Sequence, residues 1–351
     1  MIKWFQLGQF HRRNSIREGG VINIKKKVSL RLETKLLNAL IQIYETDSIS
    51  EAVNKAIVEI VTEGKSKKKL KTLFPYVGKK PPRIAREVVE AFQQSGCKVF
   101  VDLFCGSLAI LCYLPEDTKI VVNDINADLT NLYVIIKTKL VEFIAELEAL
   151  PYSEVLFQKY KEVLGSDYKA SDLERAVAYY YVQFASFRGR SKNASFRISA
   201  DVDNNMVSTF RKNLPSIIAL SDRLQTVEIL NRDFRKVMNQ FSDASVFVYA
   251  DCPYLGTEDY YECEVNSEVY VFGDNEHKDL AQMLKEHKGN FALSSKAKKD
   301  LRKLYRSNGH YVLDFEATGR MPDKRHREQL IMNFKMKHVN KYGEEDIKPY
   351  R

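Results

Sequence analysis

No stretch of the chain reaches the roughly 18 to 20 consecutive apolar residues that a membrane-spanning helix needs, and residues 1–13 hold no long apolar run ahead of a small-residue cleavage site. No membrane partner is expected, and a cytoplasmic location is. Cysteine is scarce and badly spaced for structural chemistry. Cys97, Cys105, Cys112, Cys252 and Cys263 include no Cys-x-x-Cys pair, so neither a disulfide framework nor a cysteine-based zinc site is expected. The six histidines show no metal-ligand spacing, and no metal is expected. There is no internal repeat and no low-complexity tract beyond one lysine-rich run. What remains is an ordinary globular composition: 351 residues, 44% apolar, long enough for two or three packed domains and too apolar to be disordered throughout.

The net charge of +9 is unevenly placed. Residues 1–73 hold 15 Lys/Arg against 7 Asp/Glu, which leaves the remainder nearly neutral. A basic end without an apolar face points to a polyanion, nucleic acid before membrane. Within it, Val28, Leu30 and Leu32 alternate with Lys27, Ser29 and Arg31, the period of a two-faced strand. Leu36, Leu37, Leu40, Ile41 and Tyr44 then recur at helical spacing. A second helix carries Ala52, Val53, Ala56, Ile57, Ile60 and Val61, with Ser48 and Glu51 as its capping box. So small a unit cannot bury enough apolar surface alone, and dimerisation is the usual remedy.

Residues 25–63 resemble the ribbon-helix-helix DNA-binding family, whose strands pair between two chains and enter the major groove. The resemblance implies a homodimer, base contacts from Lys27, Ser29 and Arg31, and a phosphate anchored at Ser48 and Ser50. Residues 1–24 would be an arm, and residues 64–73 a basic linker.

From residue 74 the texture becomes that of an α/β protein. Residues 99–103, 120–123, 227–230, 246–250 and 291–293 read as strands of a mostly parallel sheet, and residues 311–315 and 329–334 as a late antiparallel pair. Helical patterns at 140–150, 153–164 and 171–187, then a polar, basic stretch at 188–213, are too long for one crossover and read as an insertion over 140–213. The catalytic domain would comprise 74–139 and 214–340, with 341–351 as a tail.

Two constellations carry chemistry. Val99-Phe-Val-Asp102-Leu-Phe104-Cys-Gly106-Ser107 is a buried strand ending in a carboxylate and a glycine turn. Asn123-Asp124 follows at the next strand end, as in a Rossmann-like nucleoside site. In Val246-Phe-Val-Tyr-Ala-Asp251-Cys252-Pro253-Tyr254, a carboxylate stands at the end of a buried strand before a proline-stiffened turn and an aromatic ring. The exocyclic amine of a nucleobase is a poor nucleophile because its lone pair is delocalised into the ring. Asp251 and the Cys252 carbonyl could accept both amino hydrogens, and Tyr254 could stack on the base.

These blocks resemble Dam-type DNA adenine-N(6) methyltransferases of the Asp-Pro-Pro-Tyr class, over residues 74 to about 334. The opening aromatic-Pro-Gly-Gly-Lys segment is similar to Pro75-Tyr76-Val-Gly78-Lys79, and the glycine turn to Asp102-Leu-Phe104-Cys-Gly106. Asn123-Asp124-Ile-Asn126, Asp233-Phe234, Asp251-Cys-Pro253-Tyr254 and Glu328-Gln-Leu330-Ile-Met-Asn333 follow in the family's order. The resemblance implies a class I S-adenosyl-L-methionine-dependent fold with a helical target-recognition insertion, double-stranded DNA as substrate and an association with the nucleoid. It implies cofactor binding by Tyr76, Gly78, Lys79, Asp102, Phe104, Gly106, Asp124, Asp233, Phe234 and Asp251. It also implies catalysis by Asp251, Cys252, Pro253 and Tyr254 and target reading by Arg188, Arg190, Asn193 and Arg197, with Tyr180 and Tyr181 ending the helix before them.

Three departures from the family's pattern stand out. Leu108 replaces the second glycine of the turn, Val77 replaces a glycine, and Cys252 replaces the first proline of the tetrad. Leu108 and Val77 are expected to crowd the cofactor. A cysteine nucleophile, as in cytosine-C5 enzymes, would need Pro-Cys, and the order here is Cys-Pro. A cytosine-N(4) enzyme, and a DNA-binding regulator with a weak or inactive methyltransferase half, remain open alternatives, as does a restriction partner.

Overall fold

A computed structural model describes residues 21–24, 28–31, 70–74, 76, 78–165, 169–186, 195–198, 206–254, 263–265, 268–296, 304–305, 309–317, 326–338 and 348–349. The chain divides into two compact units, Met1–Ser66 and Lys67–Arg351.

In the first unit, β1 (Val21–Ile24) pairs antiparallel with β2 (Val28–Arg31), with Val21 opposite Arg31 and Ile24 opposite Val28. The strand expected from the alternation at 28–32 is present. Its partner lies in what was expected to be an arm, so one edge of β2 is filled from within the chain. Lys27, Ser48, Ser50 and the two expected helices lie outside the described residues, and for Ser29 and Arg31 only the backbone is described.

The second unit opens with α1 (Pro82–Ser95), whose first turn tolerates Pro82 because that amide has no intrahelical acceptor, and whose end is set by Gly96 in the left-handed region. β3 (Val99–Asp102) and β4 (Lys119–Asn123) follow, and then α2 (Ala127–Thr138), capped by the Asn126 side chain. Four helices succeed one another: α3 (Leu140–Glu148), α4 (Glu154–Val163), α5 (Asp172–Ala185) and α6 (Met206–Leu224). The chain then returns to the sheet through β5 (Val227–Leu230), α7 (Phe234–Gln240) and β6 (Val246–Ala250). A two-stranded ribbon, β7 (Cys263–Val265) and β8 (Glu268–Tyr270), precedes α8 (Asp274–Glu286). Last come β9 (Asn290–Lys296), β10 (Tyr311–Ala317), β11 (His326–Met332) and the short β12 (Lys348–Pro349).

The sheet runs β12-β10-β11-β9-β6-β3-β4-β5. β5, β4, β3, β6 and β9 are parallel, while β11 lies antiparallel between β9 and β10. This is the class I methyltransferase arrangement, with the late antiparallel pair where the sequence places it. The parallel strands are apolar almost throughout because both faces are covered. Successive residues point to opposite sides. Phe100, Ile120, Val122, Phe247 and Tyr249 pack with α1 to α6, whereas Val101, Val121, Val246, Val248 and Ala250 pack with α7 and α8. Helices α3 to α6 share the first of these cores, so the inserted segment is not a detached lobe.

Two expectations about the insertion need correction. Tyr180 and Tyr181 do not end a helix at a reading surface: α5 continues to Ala185 and both side chains are fully buried. The polar, basic stretch expected through Asn213 turns helical at Met206, because Phe210, Asn213, Leu214 and Ile217 bury one stripe of α6.

Candidate active site

The strand order reverses at β3, with β4 and β5 on one side and β6 and β9 on the other. Open α/β sheets bind ligands in the crevice beyond the carboxyl ends at such a point. A pocket with about 1100 Å3 of open space, its solvent-filled mouth included, occupies that place. Tyr76, Gly78, Lys79, Asp102, Phe104, Gly106, Asp124, Phe234, Asp251 and Pro253 all line it. The fold thus brings to one pocket residues from segments that run from Tyr76 to Pro253 in the sequence. Asp233 is not brought in. Its carboxylate caps α7 through the Arg235 amide at 2.8 Å and pairs with the Arg235 guanidinium, which also holds Glu276 and Asp279.

The glycine turn after β3 is fixed by its neighbours. Gly106 has φ +44°, a conformation that strains any other residue, and a Cβ there would stand 3.0 Å from the Tyr76 ring, which would have to give by a few tenths of an ångström. Its amide donates to Asp124 Oδ2 at 3.0 Å, and its carbonyl accepts from the Tyr133 hydroxyl. Asp124 Oδ1 accepts from the Asn126 amide at 3.0 Å. Asn123, fully buried, donates to the carbonyls of Leu103 and Arg232 and accepts from the Arg232 amide, tying together the ends of β3, β4 and β5.

Leu108 adopts φ +57°, the left-handed conformation a glycine would take without cost. Its side chain turns into the core, 1% exposed, and does not line the pocket. The expected crowding of the ligand by Leu108 is therefore corrected: the departure strains the backbone and leaves the cavity alone. Val77 lies outside the described residues.

Phe104, Phe234 and Phe272 stand 5.4 to 5.8 Å apart, centroid to centroid, and form an apolar aromatic corner of the pocket. Opposite in chemical character are four buried polar atoms without a hydrogen-bond partner: Asp102 Oδ1, Ser107 Oγ, the Tyr179 hydroxyl and Gln183 Oε1. Leaving such a group unsatisfied costs about 1–3 kcal/mol each. Burial, reinforced by the nearby Asp251 charge, pushes the Asp102 carboxyl well above the ordinary carboxylate range. Both facts favour a ligand that brings positive charge and hydrogen-bond donors.

At the carboxyl end of β6 the structure adds a residue that sequence reasoning missed. Lys80 Nζ lies 2.8 Å from Asp251 Oδ1 and 3.6 Å from Glu328 Oε2, hydrogen-bonds the Tyr254 hydroxyl, and sits 4.8 Å from the centre of the Tyr254 ring. Its side chain is 4% exposed. Burial works against this charge, but Asp251, Tyr249 and Glu328 outweigh it and hold the ammonium protonated. Burial likewise pushes the Asp251 carboxyl up to about 6, with Lys80 opposing the shift. The opening segment offers two adjacent lysines; Lys79 is exposed at the pocket edge, and only the tertiary fold shows that Lys80 turns inward.

Cys252 is buried against the far side, its sulfur 3.9 Å from His277 Nδ1, which is itself 2.9 Å from the Tyr305 hydroxyl. Burial, then Asp251, raises its pKa to about 12. A thiol buried in the core and absent from the pocket lining is poorly placed to ionise or to reach a substrate, which argues against a nucleophilic role. Arg197, expected to read bases, is held by the scaffold: its guanidinium donates to the Phe184 carbonyl and stacks on the Phe184 ring at 5.5 Å. Phe196 packs on Tyr152 and Phe157. Arg188, Arg190 and Asn193 lie outside the described residues. Among the described residues, no group of three or more His, Cys, Asp or Glu could hold a metal, and no helix is long and apolar enough to cross a membrane.

A sequence profile described as D12 class N6 adenine-specific DNA methyltransferase matches residues 76–318. The chain is 26% identical over 188 residues to Type II methyltransferase M.MjaIII of Methanocaldococcus jannaschii, covering 49% of this chain and 64% of that protein. It is 24% identical over 278 residues to Type II methyltransferase M.CviBI of Paramecium bursaria Chlorella virus NC1A, covering 75% of this chain and 99% of that protein. The chain thus spans just under two thirds of the first relative's length and nearly all of the second's.

Proposed function

The chain belongs to the D12 class of N6 adenine-specific DNA methyltransferases, and from that premise we propose that it transfers a methyl group from S-adenosyl-L-methionine to the exocyclic amine of an adenine flipped out of double-stranded DNA. The observation that supports this best is the Lys80 ammonium on Asp251 beside Tyr254. An N–H donor already occupies the position an amino group of the base would take, on the wall of the pocket.

The residues present fit the cofactor. The aromatic corner of Phe104, Phe234 and Phe272 suits an adenine ring, Gly106 keeps the turn open for close approach, and the unpartnered Asp102 oxygen suits a cation. Tyr76, Gly78, Lys79 and Asp124 complete the wall. When bound, the cofactor supplies an electrophilic methyl group on a sulfonium, chemistry that needs no metal.

The protein's part is to hold and orient the base. Asp251 and the Cys252 carbonyl accept the two amino hydrogens, which localises the lone pair on nitrogen for in-line attack, and Pro253 stiffens the turn that presents them. Lys80 leaves Asp251 as the base enters, with Glu328 the nearest alternative acceptor. Asp251, ionised above about pH 6, is positioned to take up a proton as the new N–C bond forms. Flipping costs on the order of a few kcal/mol and one stacked ring returns roughly 1–3, so Tyr254 shares that cost with Asp251 and with reading residues Arg188, Arg190 and Asn193.

We assign Lys27, Ser29 and Arg31 to a DNA-contacting ribbon. A homodimer sharing that ribbon would use the edge of β2 that β1 leaves open. Methylation of chromosomal DNA would place the protein at the nucleoid, and the Type II names of the relatives make a restriction partner a natural corollary. Transfer of tritium from labelled S-adenosylmethionine to DNA tests the central reading, with Asp251→Ala as control. Incorporation that the variant abolishes is expected. No incorporation by the wild type over a broad set of sequences would leave the regulator reading standing.

A further inference from the structure

Two of the four unpartnered polar atoms in the pocket come from α5, a helix of the insertion, and not from the glycine turn. Tyr179 and Gln183 are one helical turn apart, so both face the same way. They are 3% and 2% exposed, and both line the pocket. Their neighbours on α5 are differently employed: Tyr180 takes a hydrogen bond from Asn213, and the Tyr181 hydroxyl serves the backbone around Ser153. Tyr179 lies within hydrogen-bonding reach of the Tyr76 and Gln183 side chains, but neither its hydroxyl nor Gln183 Oε1 closes a well-aligned hydrogen bond, so both stay open to a better partner. Burial raises the Tyr179 pKa well above that of an ordinary tyrosine, so the hydroxyl keeps its proton and can donate.

Resting on the methyltransferase reading, we propose that Tyr179 and Gln183 bind the amino-acid end of the cofactor. Gln183 Oε1 accepts from its ammonium group and the Tyr179 hydroxyl donates to its carboxylate. The aromatic corner meets the needs of the nucleobase end. An acceptor amide and a donor hydroxyl, with the Ser107 hydroxyl and the Asp102 oxygen as further open groups, meet those of a zwitterion. The insertion thereby helps to build the cofactor site as well as the DNA-facing side.

Calorimetric titration with two probes separates this from a packing role. S-adenosylhomocysteine carries the amino-acid end; 5′-methylthioadenosine keeps the nucleoside and lacks it. Gln183→Leu, close in shape, is expected to weaken S-adenosylhomocysteine about tenfold, the cost of one hydrogen bond to a charged group, and 5′-methylthioadenosine less than twofold. Tyr179→Phe, which removes only an oxygen, is expected to show the same split. Because each variant keeps the shape of the residue it replaces and opens no sizeable cavity, the melting temperature of the free protein should not fall. Equal weakening of both probes, or no change in either, overturns the assignment. A wild type that binds neither probe overturns the underlying methyltransferase reading.

Discussion

Lys80 and Asp251 form a coupled pair whose behaviour can be argued with its sign. The folded pKa of Asp251 is raised from the ordinary carboxylate value to about 6 by burial, and Lys80 holds it down from a higher value still. Methyl transfer needs the carboxylate, so the rate should fall as pH drops through about 6. Replacing Lys80 with Met removes the opposing charge, and the acid limb of the kcat/KM profile, which reports the free enzyme, should move to higher pH; an unmoved or acid-shifted limb contradicts the pairing. Asp251 was legible in the sequence because a carboxylate ending a fully apolar strand has few structural reasons to be there. Lys80 was not, since adjacent lysines look alike until a fold buries one. Leu108 yields a second prediction. Relief of its left-handed backbone is worth about 1–2 kcal/mol, while loss of a buried leucine side chain costs about 2–5. Leu108→Gly should therefore lower stability by about 1–3 kcal/mol in urea unfolding and leave the affinity for S-adenosylhomocysteine unchanged, because the side chain points away from the pocket.

The loops at the strand ends form the element on which the site stands, and Asn123 joins three of them. Of its three hydrogen bonds, the one to Leu103 is buried and the two with Arg232 are partly so. At about 0.5–1.5 kcal/mol net per bond, Asn123→Ala should cost about 2–4 kcal/mol of unfolding free energy and weaken cofactor binding at the same time, since the β3 and β5 ends carry Phe104 and Phe234. A stability loss with unaltered binding would mean that the pocket does not depend on this tie. The parallel strands were readable because burial on both faces makes them short, apolar and β-branched, as in Val246 to Ala250. Helix α5 was harder. Packed against α2, α3 and α4, and met by Phe210 and Asn213 of α6, it is buried all round from Ala176 to Ala185, so apolar periodicity no longer says which face meets what. That is why the sequence suggests a helix end at Tyr180 and Tyr181, and why Tyr179 and Gln183 go unremarked beside them.

At the scale of the whole molecule, catalysis and the excess positive charge fall in different parts of the chain. Every described residue of the pocket belongs to the unit Lys67–Arg351, while the basic surplus belongs to residues 1–73. Five lysines of that surplus, Lys65, Lys67, Lys68, Lys69 and Lys71, are crowded into seven positions between the N-terminal region and the catalytic domain. Each phosphate contact contributes about −0.9 to the slope of log affinity against log salt on duplex DNA. Deleting residues 1–64 should then flatten that slope by the contacts of Lys27, Arg31 and their neighbours, and lower the mass in solution from dimer to monomer. Methyl transfer to a short duplex at low salt should persist. Replacing the five linker lysines with Gln in the full chain should flatten the slope without altering the mass. Were the truncation to keep both the slope and the mass of the full chain, the N-terminal unit would be neither the dimer contact nor a DNA ribbon. Loss of methyl transfer by the truncated but folded protein at low salt would show instead that the first unit completes the active site, against the separation of charge and chemistry along the chain.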